Sequence, residues 1–171
     1  MRKIFALLAV SGLLIAMVAA PAGAKSDERP FKAFMTGEMS WDDTAFECLP
    51  LTGIPVRTGM EATGQVSHLG RSTLVGSHCT PAGSDYGPGE MTLIAANGDE
   101  VDITYGGVCP DYADFPLDEV FTCTLEFDID GGTGRFADAH GSGEGTMSII
   151  WVGVGQPSTT AWWSWVGTIG Y

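Results

Sequence analysis

The chain has 171 residues and a formal net charge of −13 at pH 7, from 21 Asp and Glu against 8 Lys and Arg. A surface this acidic repels phosphate backbones and anionic lipid, which excludes nucleic acid and membrane surfaces as natural partners. The chain is also 44% hydrophobic, with five Trp and eight Phe, and that content excludes acidity-driven disorder and predicts a packed core.

The N-terminus has the three-part layout of an export signal. Arg2 and Lys3 form a positive head, Ile4 to Ala20 carries no charge, and Pro21 precedes the small-x-small pattern Ala22-Gly23-Ala24. A membrane-spanning helix is the rival reading, but the apolar run is at the lower limit of spanning length and ends in a cleavage pattern. The first cysteine is Cys48, too distant for a lipid-anchored N-terminus. The expectation is a signal peptide over residues 1–24, release to the periplasm or the extracellular medium, and no membrane association after cleavage. The remainder, Lys25 to Tyr171, fits one domain and loses two positive charges with the signal.

After the signal nothing reads as a long helix. Short alternating segments lie between clusters of Gly, Pro, Asn and Asp. Phe31, Ala33, Met35, Met39 and Trp41 share one face of a strand, with Lys32, Thr36, Glu38 and Ser40 on the other. An acidic loop, Asp42 to Gly59, precedes strands at Ala62–Leu69 and Ser72–Cys79, broken at Gly70. A loop is expected over Thr80–Gly89. Strands at Glu90–Ala96 and Glu100–Gly106 flank Asn97-Gly98-Asp99, a strong hairpin signal. Val101, Ile103 and Tyr105 face one way, and Asp102 and Thr104 the other. In Val120–Ile129, Phe121, Cys123, Leu125, Phe127 and Ile129 oppose Thr122, Thr124, Glu126 and Asp128. A glycine turn then leads into Arg135–Ala139, and Glu144–Val152 and Thr160–Ile169 close the chain. About eight strands with one-face alternation and short turns predict an all-β, eight-stranded antiparallel up-and-down barrel, with a two-sheet sandwich as the alternative.

Cys48, Cys79, Cys109 and Cys123 are even in number, and an exported chain meets an oxidising compartment, so two disulfides are expected. Four cysteines allow three pairings. Cys48–Cys79 with Cys109–Cys123 is favoured, the second bridging the Pro110 to Leu117 loop. There is no C-x-x-C pair, and the histidines are scattered, so no metal site and no cofactor are expected.

The string Gly131-Gly132-Thr133-Gly134-Arg135-Phe136-Ala137-Asp138-Ala139-His140-Gly141 resembles the GGTG-[KR]-F-x-x-A-x-G segment of dirigent proteins and, more loosely, the TG-x-F-x-G segment of allene oxide cyclases. Gly64-x-x-x-His68-Leu69-Gly70-Arg71 and Asn97-Gly98-Asp99 are similar to secreted bacterial proteins of the same barrel superfamily. The resemblance covers about eleven residues of 171, and the strand layout agrees over most of the rest. It implies an eight-stranded barrel with an apolar cavity, activities of ring closure or radical orientation, and homo-oligomers. It transfers no catalytic side chain, because the matched residues are structural: glycines for a tight turn, Phe136 for the core, and Ala139 and Gly141 where backbones pass closely.

The candidate sites each have a plain structural explanation. Glu38, Asp102, Glu126 and Asp128 would serve as acids or bases if they faced inward, but the alternation puts them on the wet outer face. Asp128-x-Asp130-Gly131 begins like a calcium loop but has Ala139 in place of the closing Glu, and Asp42, Asp43 and Glu47 form a looser acidic cluster. His68, His78 and His140 lack a nucleophile motif and read as surface or turn residues. Trp151, Trp162, Trp163 and Trp165 crowd the C-terminal strands. Phe136, Trp151, Trp163 and Trp165 are the expected wall of any cavity for a small apolar molecule. Three functions fit: a secreted non-catalytic barrel with a small-molecule-binding, structural or interaction role, a cyclase or dirigent-like protein, and a protein-binding module acting through its long loops.

Overall fold

A computed structural model describes residues 28–80, 85–111, 115–153, 156 and 158–171. The expected signal peptide, residues 1–24, lies outside the described residues. The fold is a closed barrel of eight antiparallel strands in sequence order. The strands are β1 (Arg29–Asp42), β2 (Arg57–Val66), β3 (Gly70–Cys79), β4 (Asp85–Ala95), β5 (Glu100–Val108), β6 (Val120–Gly132), β7 (His140–Ile150) and β8 (Ser158–Gly170). β1 pairs with β8 from Arg29↔Ile169 to Ser40↔Ser158, which leaves the sheet without an open edge.

Period-2 patterning drives this closure. On β6, Phe121, Cys123, Leu125, Phe127 and Ile129 are buried while Thr122, Thr124, Glu126 and Asp128 are exposed. The inward set forms one core, closed at the turn end by Phe136 and at the loop end by Trp151. Phe136 packs against Tyr171 with ring centroids 4.8 Å apart, and Trp151 stacks on Phe121 at 5.1 Å. Both disulfides stand at the loop end. Cys48–Cys79 ties the β1–β2 connection to the end of β3, and Cys109–Cys123 ties the end of β5 to β6, the pairing favoured from sequence.

Three expectations need correction. The segment Arg135–Ala139 is not a strand. Gly134–Phe136 is a 3-10 turn, with Gly134 at φ +60°, and β7 starts at His140. Strand β2 begins at Arg57, inside the expected acidic loop, because Thr58 and Met60 already point inward. Strand β4 begins at Asp85, inside the expected Thr80–Gly89 loop, with a register shift between Tyr86 and Gly89 that the Gly and Pro residues accommodate. Residues 81–84 of that loop lie outside the described residues.

Candidate functional site

Two places in the barrel combine shape with chemistry. The first is an interior compartment toward the loop end. Register builds it: Met39 of β1 pairs with Met60 of β2, Met60 with Gly76 of β3, and Gly76 with Met91 of β4. All point inward, and Gly76 contributes no side chain between Met60 and Met91. A Cβ at Gly76 would stand 2.7 Å from Met91 Cβ and 2.9 Å from Met60 Cε. Two residues along β3 from Gly76, His78 turns its ring into the barrel. Tyr86, Tyr105, Leu125, Met147, Trp163 and Trp165 complete the lining.

The polar atoms here form a chain. His78 Nδ1 is 2.7 Å from Tyr105 Oη, and Tyr105 Oη donates to Met60 Sδ at 3.8 Å. The Tyr86 hydroxyl donates to the Thr124 carbonyl at 3.3 Å. Desolvation disfavours the charged form of each group. It pulls the His78 imidazole down to about 4 and pushes both phenols up, Tyr105 with added repulsion from Tyr86. At neutral pH all three are uncharged. The indole N–H of Trp165 is buried with no acceptor among the described residues. The free volume in this compartment is about 10 Å³, enough for roughly one water and no organic ligand.

His78 is therefore not the surface or turn histidine expected from sequence. Its parity with Ser72 and Leu74, both buried, carried the signal, and Gly76 interrupted it. His68 does sit in the β2–β3 turn at φ +68°, with Nε2 3.0 Å from the Pro30 carbonyl oxygen, and His140 is exposed at the start of β7. Trp163 and Trp165 line the compartment. Phe136 and Trp151 fill the two ends of the barrel instead and do not meet there.

The second place is a broad open groove on the outer surface over β5 to β8, about 1560 Å³ in volume. Gly143 and Gly145 of β7 lie in its floor and face the core without side chains. A Cβ at Gly143 would strike the Phe127 ring, and one at Gly145 the Trp165 indole. Thr104, Thr124, Ser142, Thr146 and Ser164 line it with Glu126, Asp128 and Glu144, and the lining includes no Lys or Arg. Glu126 and Glu144 are direct cross-strand partners. Phe34, Trp162 and Val166 are exposed on adjoining β1 and β8. Glu38 and Asp102 also face outward, so none of the four carboxylates considered from sequence enters the barrel.

The acidic loops are engaged locally. Asp42 accepts from Thr44 N at 2.9 Å and Thr44 Oγ1 at 2.6 Å, Glu47 pairs with Arg57 at 3.0 Å, and Asp130 accepts from Thr104 Oγ1 at 2.7 Å. Among the described residues no group of three or more His, Cys, Asp or Glu side chains is placed to hold a metal ion, and no helix is long and apolar enough to cross a membrane. No protein-family model, curated protein or solved structure matches the chain.

Proposed function

We propose that this protein is an exported, non-catalytic binding barrel that recognises a cationic partner on its outer β5–β8 groove. The observation that carries this reading is the contrast in room: about 10 Å³ in the interior compartment beside His78 against about 1560 Å³ in the groove. A lipid- or polyketide-sized substrate has no space in that compartment as folded, which weighs against the cyclase and dirigent-like reading that the Gly131–Gly141 string suggests. It weighs equally against storage of a small apolar molecule there. Export rests on the N-terminal sequence pattern, and two disulfides are compatible with it.

The groove favours a protein partner by its composition. Glu126, Asp128 and Glu144 meet no basic side chain in its lining, and hydroxyls supply hydrogen bonds across four strands. The exposed Phe34, Trp162 and Val166 beside it offer apolar anchorage. A Lys- or Arg-rich segment with interspersed apolar residues complements that surface.

Titration of a fluorescent Lys-rich peptide tests the reading. E126Q/E144Q should weaken binding about 5- to 10-fold, and added salt should weaken it further. D42N/D43N, at the far loop, should bind like the parent. Equal affinity for the groove variant and the parent would reject the groove, and a selective loss in the loop variant would move recognition to the loop end.

A further inference from the structure

The five methionines that follow the apolar N-terminal run are Met35, Met39, Met60, Met91 and Met147. All five are buried, and four line the interior compartment that also holds His78. Ordinary core filling does not require that concentration. Leu or Ile would fill the same volume with better-defined rotamers, whereas Met adds a polarisable thioether on a flexible arm. Met39, Met60 and Met91 stand in one row on β1, β2 and β4, with Gly76 of β3 leaving a gap in that row. His78 lies one inward position beyond the gap.

Proton accounting adds to the pattern. The 2.7 Å contact is made in either direction, and in the tautomer where His78 Nδ1–H donates to Tyr105 Oη the phenol O–H is free to turn to Met60 Sδ at 3.8 Å. That arrangement leaves Nε2 as the unprotonated ring nitrogen, with no protein partner among the described residues. A histidine whose second nitrogen is fixed by a hydrogen bond is the usual form of a metal ligand. The indole N–H of Trp165 in the same compartment also has no acceptor among the described residues.

We infer that Met39, Met60, Met91 and His78 form a binding site for a soft monovalent cation, Cu(I) or its analogue Ag(I), inside the loop end of the barrel. Thioethers and imidazole are soft and borderline ligands that select Cu(I) over Mg²⁺, Ca²⁺ and Mn²⁺, and all four are neutral at pH 7. Thioethers also suit an oxidising compartment, where thiols at such a site would be lost to disulfides. An ion needs far less room than an organic ligand, and rotation about the flexible Met side chains supplies it. His78 is partly exposed, whereas Met39, Met60 and Met91 are buried. Tyr105 is a positioning residue, setting the His78 tautomer without touching the ion.

The test is a titration of the disulfide-intact protein with Ag(I), which needs no reductant, followed by Met methyl NMR. One equivalent should bind, shifting the methyl resonances of Met39, Met60 and Met91, with Met35 unmoved as the internal control. M39L/M60L/M91L keeps core volume and should bind about 100-fold more weakly. Y105F should cost about 10- to 100-fold through the freed tautomer, with every ligand still present. Absence of binding, affinity unchanged in the triple variant, or binding that leaves the Met39, Met60 and Met91 methyl resonances unmoved would each overturn the assignment. Should the triple variant fail to fold, the parent methyl spectrum decides alone. The outcome is independent of the groove, since E126Q/E144Q alters no interior residue.

Discussion

At the scale of single residues, His78 shows how the barrel sets the chemistry of its contents. Its pKa falls from 6.5 to about 4 because burial penalises the imidazolium. Between those values the unfolded chain binds a proton that the folded chain does not, so stability falls as pH drops through that window and levels off below it. A shift of this size corresponds to at most about 3 kcal/mol, reduced by solvent screening of the partly exposed ring. Denaturant melts of the parent and H78F from pH 7 to 4 should therefore diverge, the parent losing up to that amount more than the variant. Parallel curves would mean that His78 titrates alike in the folded and the unfolded chain. Gly145 gives a second residue-scale prediction. Its missing side chain is filled by the Trp165 indole, so G145V should cost about 2 to 4 kcal/mol through overpacking, measurable as a lowered midpoint in urea.

At the scale of elements, the two disulfides act on different connections. Cys48–Cys79 closes a span of 31 residues and Cys109–Cys123 one of 14. Chain-entropy reasoning assigns losses of about 4 and about 3 kcal/mol on removal, so C48S/C79S should be the less stable double variant. Hydrogen exchange should then rise first in the β1–β2 connection, where the bridge anchors a short helical segment with exposed Phe46 and Leu51. If C109S/C123S proves the less stable, native contacts of the β5–β6 loop outweigh loop entropy. The strands themselves were legible wherever large apolar residues alternate, as on β1, β5 and β6. They were obscured where small or polar residues point inward, as at Thr58, Gly76 and Gly143, since those positions carry no hydrophobic signal. The 3-10 turn at Gly134–Phe136 was misread for the opposite reason: Phe136 is fully buried, but from a turn. The interior compartment was hidden for a third. Its methionines are 21 to 108 residues apart in sequence and meet only through strand register, which no local pattern encodes.

At the scale of the whole molecule, closure turns an acidic chain into a shell with charge outside and neutral chemistry within. Like charges face each other across strands at Glu38↔Glu61 and Glu126↔Glu144, pairings that cost stability where they stand. Few cations offset them, since the chain has 8 Lys and Arg in all. A fold with that imbalance carries net self-repulsion, which counter-ions screen within a Debye length of about 10 Å at 0.1 M salt. The melting temperature should consequently rise by a few degrees between 10 mM and 500 mM NaCl, and E126Q/E144Q should show a smaller rise from a higher starting point. Chloride and perchlorate salts of one cation separate screening from ion-specific effects, because screening depends on ionic strength alone. A salt-independent melt would mean that the paired acids are already neutralised by bound cations. A parent curve matching that of E126Q/E144Q would mean that the repulsion lies elsewhere on the barrel. Glu126 and Glu144 pair directly within the β5–β8 groove, and the cost of that pairing to the free protein is the quantity this experiment reads.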